Sequence, residues 1–129
     1  MPQQFTVRLK NEPGALAALA EALAERGIDI RSVGAGGVGG QGLAVLTTND
    51  DAAAREVLRK TRYTFFEGET LTVAVPDQPG SLARVTRRLA EAGVNIAGVL
   101  VLSRHQGKAE LAFTVDNPLL ARRVLAAST

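Results

Sequence analysis

The chain has 129 residues, 46% of them hydrophobic and 22% charged, with 15 basic against 13 acidic side chains. That balance belongs to a folded chain, and a net charge of +2 gives no strong pull toward nucleic acid or membrane surfaces. The absence of cysteine excludes disulfides, thiolate metal ligands and a cysteine nucleophile, and the scarcity of aromatic residues leaves an aliphatic core.

The N-terminal Met1-Pro2-Gln3-Gln4 runs straight into a strand pattern with no signal-peptide apolar region. No apolar run approaches the roughly 20 residues that span a bilayer, so a cytoplasmic protein is the expectation. Phe5, Val7 and Leu9 alternate with Thr6 and Arg8, which predicts a half-buried strand. Asn11-Glu12-Pro13-Gly14 breaks it and opens a helix, whose apolar stripe is Leu16, Leu19 and Leu23 and which Gly27 stops. A strand through Ile30 and Val33, a glycine-rich turn and a return strand Leu43 to Thr48 come next. Asp50 is placed to cap a second helix carrying Val57 and Leu58, and a short strand around Tyr63 to Phe66 closes the unit.

The pattern then starts again. Pro13-Gly14 falls on Pro79-Gly80, a shift of 66 residues, and the same shift lays Leu23-Ala24-Glu25-Arg26-Gly27-Ile28-Asp29-Ile30 on Leu89-Ala90-Glu91-Ala92-Gly93-Val94-Asn95-Ile96. Thr6-Val7 matches Thr72-Val73, Val33 matches Val99, and Thr48 and Asp50 match Thr114 and Asp116, with no gap. The second helix stripe is accordingly Leu82, Val85 and Leu89. The expected fold is α+β: two ferredoxin-like βαββαβ units in tandem, each an antiparallel sheet with helices on one face, divided as residues 1–67 and 68–129. The shift carries the second unit's last strand past Thr129, so that strand is expected to be missing or supplied by another segment or chain. Val99 and Val101 alternate with Leu100 and Leu102, a strand apolar on both faces; helices cover one face, and a partner, most simply a second copy, is expected to cover the other.

Chemistry concentrates at the turn between first strand and first helix, which occurs twice. Asn11-Glu12-Pro13-Gly14 and Asp77-Gln78-Pro79-Gly80 each deliver a helix N-terminus, where unpaired N–H groups and the helix dipole favour an anion. Gly14 and Gly80 lack a β-carbon and allow a carboxylate to approach the main chain. Asp77, Asn11, Asp29 or Asn95 can accept from an ammonium group, and the two pockets together suit an α-amino acid. The same turn also serves as a plain Asx-capped connection with nothing bound.

The strand, the D/N-x-P-G-x-L helix and the G-[I/V]-[N/D]-I strand, found twice, resemble the ACT domain and cover essentially the whole chain. The resemblance implies a βαββαβ fold, units that pair into a continuous sheet, and allosteric sensing of amino acids or related metabolites. It places ligands between paired units, near the first strand-helix turn and the next unit's second strand. Carried over, this nominates Asn11, Pro13, Gly14, Ala15 and Leu16 with Asp29 and Ile30. In the second unit it nominates Asp77, Pro79, Gly80, Ser81 and Leu82 with Asn95 and Ile96, the more polar set. Family members commonly carry the unit beside an enzyme or DNA-binding domain. None is read here, so a homodimer and a regulated partner protein are the implied partners, and no cofactor is implied. The alternative is an ACT-like interaction module that has lost its ligand.

Other signals weigh less. The run Gly34 to Gly42 links two strands and lacks the ending of a phosphate loop, so it reads as a flexible hairpin loop or a lid. His105, the only histidine, belongs at the equivalent hairpin tip, and without a second His or any Cys there is no metal set. Ser32, Ser81 and Ser103 lack a nucleophile-elbow context, so no enzyme is expected. Arg84, Arg87, Arg88, Arg122 and Arg123 form a basic face, but the central strands lack the stacking aromatics of RNA-recognition modules. A solvated face or a patch for an acidic protein is the better reading.

Overall fold

Apolar alternation, two amphipathic helices and paired turn signals fold each half of the chain around its own core. The computed structural model describes residues 2–126, which divide into two units, Pro2–Glu67 and a second from Gly68 onward. The first unit runs β1 (Gln3–Lys10), α1 (Ala15–Ala24), β2 (Ile30–Val38), β3 (Gln41–Thr48), α2 (Asp51–Lys60) and β4 (Phe65–Glu69). Its sheet has the order β2-β3-β1-β4, the ferredoxin-like arrangement. The second unit runs β5 (Leu71–Pro76), α3 (Ser81–Glu91), β6 (Ile96–His105), β7 (Lys108–Val115) and α4 (Pro118–Ala126), with sheet order β5-β7-β6. Among the described residues this sheet has three strands, and the position expected for a fourth lies outside them. No helix of the described residues is long and apolar enough to cross a membrane.

In the first unit Phe5, Val7, Leu46, Leu19, Leu23 and Leu58 meet between the sheet and the helices, and the Phe5 and Phe65 rings lie 6.1 Å apart. The second core is built in the same way on Leu71, Val73, Leu111, Phe113, Val85 and Leu89. Helix ends follow local chemistry. The Asp50 carboxylate accepts from the Ala53 N–H at 3.0 Å and caps α2, as its position in the sequence predicts. Gly27 takes φ 71°, which lets the Ile28 N–H reach back to the Leu23 carbonyl and close α1. On α2, Lys60 and Arg26 flank Glu56 and hold its carboxyl below the ordinary glutamate range, Lys60 contributing most. Arg55 and Glu67 pair at 2.5 Å and 2.7 Å, tying α2 to β4.

Four expectations change. First, the glycine run is not a loop. β2 extends to Val38 and β3 begins at Gln41, leaving Gly39-Gly40 as the turn. Of the glycines upstream, Gly37 serves close approach, since a β-carbon there would lie 2.5 Å from the Asn11 side chain. Secondly, the closing strand starts two residues later than Tyr63, at Phe65, because Tyr63 still donates to the Leu58 carbonyl of the α2 terminus.

Thirdly, the 66-residue register fails within β6. Val33 pairs with Leu46, whereas its counterpart Val99 pairs with Phe113, not Ala112. The ladder shifts between Val101 and Ser103, where a bulge absorbs one extra residue. Beyond it the true shift is 67, so Thr48 corresponds to Val115 and Asp50 to Asn117. Asn117 indeed does the capping, accepting from the Leu120 N–H at 3.2 Å.

Fourthly, the exposed face of β6 is the valine face. Leu100 is buried within the chain and Leu102 half-buried, while Val99 and Val101 are exposed. Val99 and Val101 pair with the core residues Phe113 and Leu111, so they lie on the helix side of the sheet. They are exposed because β6 is the edge strand, beyond the cover of the helices.

Candidate functional site

The strand-to-helix turns are built from backbone. Gly14 and Gly80 sit at φ 89° and 93°, the left-handed region that costs an ordinary residue about 1–2 kcal/mol. Their identity is therefore fixed by the turn itself, before any ligand is considered, and a bulky replacement of Gly80 tests the fold as much as a site. No side chain caps either helix, and the Ala15 and Ser81 N–H groups at their starts donate to the Glu12 and Gln78 carbonyls at 3.3 Å. Pro13, Gly14, Pro79 and Gly80 are exposed there.

The nominated polar side chains are largely engaged. Asn11 donates from its side-chain amide to the Gly39 carbonyl at 2.9 Å, and its N–H to Gly40 at 3.3 Å. It pins the turn to the β2–β3 hairpin. In the second unit the Asp77 N–H donates to the Gly107 carbonyl at 2.8 Å, and the Asp77 carboxylate faces Arg104 at 3.4 Å. Both partners of that ion pair are substantially exposed, so it contributes little stability. Ser81 is buried, and its hydroxyl donates to the Pro76 carbonyl at 2.6 Å while accepting from Arg84 at 3.3 Å. Ala15 is half-buried against the first core.

Asp29 and Asn95 lie elsewhere. The Asp29 N–H donates to the Asn49 side chain at 2.9 Å and its carboxylate faces Arg31 at 3.5 Å, while the Asn95 N–H donates to the Asp116 carboxylate at 2.9 Å. Ile30 pairs with Thr48, at the far end of β3 from Gln41, which pairs with Lys10 just before Asn11. Seven residue steps of strand separate the two ends, about 23 Å. The same separation holds Asn95 and Ile96 away from Asp77. Within one unit the nominated residues do not converge on one site; the turn set and the strand set lie at opposite ends of the sheet.

What each unit does share is an exposed apolar pair beside them. Leu16 and Leu82, expected in the helix stripes, are 44% and 48% exposed, and Val33 and Val99 are 51% and 38% exposed. These are the same two positions of the repeat. Leu19, Leu23, Val85 and Leu89 satisfy the core without Leu16 and Leu82.

Sequence reading missed two clefts beside the turns. In the first unit a cleft of about 510 Å³ brings Arg8, Lys10, Glu12, Arg62 and Tyr63 together. Arg62, just past α2, takes φ 61°, a strained conformation that no sequence signal announces. In the second unit a cleft of about 380 Å³ is lined by Ser81, Arg84, Arg88 and Lys108. Among the described residues no group of His, Cys, Asp and Glu is arranged to hold a metal ion.

The ACT domain family model matches residues 4–62 and 70–121. A search of curated protein sequences gave no match. Among solved structures, a protein from Bacteroides thetaiotaomicron shares the fold with a TM-score of 0.73 at 21% identity, covering 98% of this chain and 88% of that one. The ligand-free regulatory subunit of aspartate kinase from Thermus thermophilus aligns with a TM-score of 0.65 at 20% identity, covering 98% and 90%. That from Thermus flavus aligns with a TM-score of 0.66 at 19% identity, covering 98% and 92%. With two family matches in register with two ferredoxin-like units, the chain belongs to the ACT domain family as a tandem member.

Proposed function

We propose that this chain is a regulatory sensor: an amino acid or related small metabolite binds between paired ACT units and biases their association, or the activity of a partner protein. One observation carries the reading. Each unit exposes the same apolar positions, Leu16 and Val33 or Leu82 and Val99, beside turn and strand residues that lie at opposite ends of its own sheet. A strand-to-helix turn offers helix N–H groups for a carboxylate, and the start of another unit's second strand, Asp29 or Asn95, offers an acceptor for the ammonium group. Pairing would bring the halves together, and a homodimer in the cytoplasm is the simplest setting. The reading is regulatory and not catalytic. It agrees with the regulatory subunits of aspartate kinase that share this fold.

Such a sensor works by differential affinity for two arrangements, typically worth about 1–3 kcal/mol of coupling. Thermal unfolding against the twenty amino acids tests it. A ligand at 100 times its dissociation constant stabilises the protein by about 2.7 kcal/mol, an easily read rise in Tm. One amino acid, or a related pair, should stand out; a flat panel at millimolar concentration contradicts the reading. A second reading, an interaction module without ligand, draws on the engagement of Asn11 and Ser81 within their own unit.

A further inference from the structure

One helix of the first unit ends on a residue that its backbone does not favour. Three helices close in the same way. The Ile28 N–H reaches the Leu23 carbonyl at 3.0 Å past α1, the Val94 N–H reaches Leu89 at 2.9 Å past α3, and the Tyr63 N–H reaches Leu58 at 3.0 Å past α2. The residue that makes the turn is Gly27 at φ 71° after α1 and Gly93 at φ 79° after α3, but Arg62 at φ 61° after α2. Glycine is the low-cost choice there, because a β-carbon is strained at positive φ. Strain retained in a fold points to a use for the side chain that carries it. Arg62 lines the cleft of about 510 Å³ formed by β1, α1 and the α2–β4 connection. The Arg8 N–H, bonded to the Thr64 carbonyl at 2.9 Å, holds that connection against β1.

Three basic residues, Arg8, Lys10 and Arg62, line this cleft against a single carboxylate, Glu12. Ion pairs among the described residues engage Arg26, Arg31, Arg55, Lys60, Arg104 and Arg122, and none engages the three of the cleft. Tyr63, half-buried, and Ala18 of α1 add apolar surface. We propose that the cleft binds a phosphomonoester carried on a small organic body. A guanidinium meets phosphate oxygens through two N–H groups, and a lysine ammonium adds a point charge. A phosphomonoester carries about −1.5 to −2 charges at pH 7, which answers three cations less one carboxylate. An α-amino acid with a neutral side chain has no net charge to offer. The volume falls within the roughly 300–1,000 Å³ of small-molecule sites and exceeds what bare phosphate fills, so an organic body belongs beside Tyr63. The site is separate from the amino-acid site proposed above. The order β2-β3-β1-β4 sets the cleft on the β4 side of β1, whereas Asp29 and Ile30 lie at β2, the opposite edge. Of the nominated turn residues it meets Ala15 alone. A ligand here is held within one unit and requires no pairing.

The test is calorimetric titration of the full chain with adenosine 5′-monophosphate and glucose 6-phosphate, with inorganic phosphate and succinate as controls. At least one monoester should bind with a Kd below about 1 mM and at least tenfold more tightly than either control. Which of the two binds distinguishes a nucleotide from a sugar phosphate. NMR should place the shifts at amides 8–10 and 61–64. Arg62→Gly should weaken that binding at least tenfold and yet raise the melting temperature of the unliganded protein, because glycine relieves the strained turn. Lys10→Gln, at an exposed position, should weaken binding with the melting temperature unchanged. The proposal is overturned if neither monoester binds, if succinate binds as tightly, or if either variant binds like wild type. A fall in the melting temperature of unliganded Arg62→Gly also overturns it, since the arginine would then serve the fold. Amino-acid binding is read separately by the thermal panel, so the two ideas fail independently.

Discussion

Phe113→Ala is expected to cost the second unit about 3–5 kcal/mol, the range for deleting a fully buried aromatic side chain. Phe113 is fully buried on β7, the central strand of its sheet, and its neighbours across the ladder are Leu71 and Val99. The cavity cannot be filled cheaply. Val73, Val85, Leu89 and Leu125 around it are already committed to a core with no second large ring. A unit of this size holds only about 3–9 kcal/mol of stability, so the loss is comparable with the whole. Denaturant unfolding followed by hydrogen exchange at β5, β6 and β7 should show their protection collapse. Leu119→Ala, at a 64% exposed position of the neighbouring helix, should change stability by no more than about 0.5 kcal/mol. A Phe113→Ala protein that melts like Leu119→Ala would contradict the core described here.

Leu16→Glu combined with Leu82→Glu is the second large expected effect, and it falls on function. Both side chains are near half-exposed in the first turn of their helices, so the charge enters water and the fold should hold. Acidic residues in that turn also complement the helix dipole. If these leucines form the apolar rim against which paired units close, the double variant should lose amino-acid binding by at least tenfold while keeping its melting temperature without ligand. Unchanged affinity in the folded double variant would remove them from the pairing surface.

The limits of the sequence reading lie in particular residues. Phe5, Val7 and Leu9 announced β1, the two Pro-Gly turns announced the repeat, and Asp50 announced its cap, because each obeys a local rule of period or chemistry. The ferredoxin-like fold follows from those rules. The single-residue bulge after Val101 left no such mark; it is a property of the ladder, and it displaced Thr114 and Asp116 from their supposed partners. Leu16 and Leu82 fit the helical period as well as the core residues do, yet in the first turn of their helices they stay near half-exposed, which the period does not reveal. Gly34 to Gly42 misled for a related reason. Composition reported flexibility, while the Asn11 side chain, distant in sequence, packs where a β-carbon on Gly37 would lie. For the candidate site, the turn and the strand start were legible as chemistry, but their separation across β3 was not, since it depends on strand order rather than on motif.

The most direct measurement is a 15N–1H NMR titration of the protein with the amino acid that the thermal panel selects. The account predicts simultaneous, saturable shifts at amides 14–16 or 80–82 and at amides 29–30 or 95–96, groups that one unit holds at opposite ends of its sheet. Shifts confined to one of these groups, or found only elsewhere, would contradict a site completed by paired units.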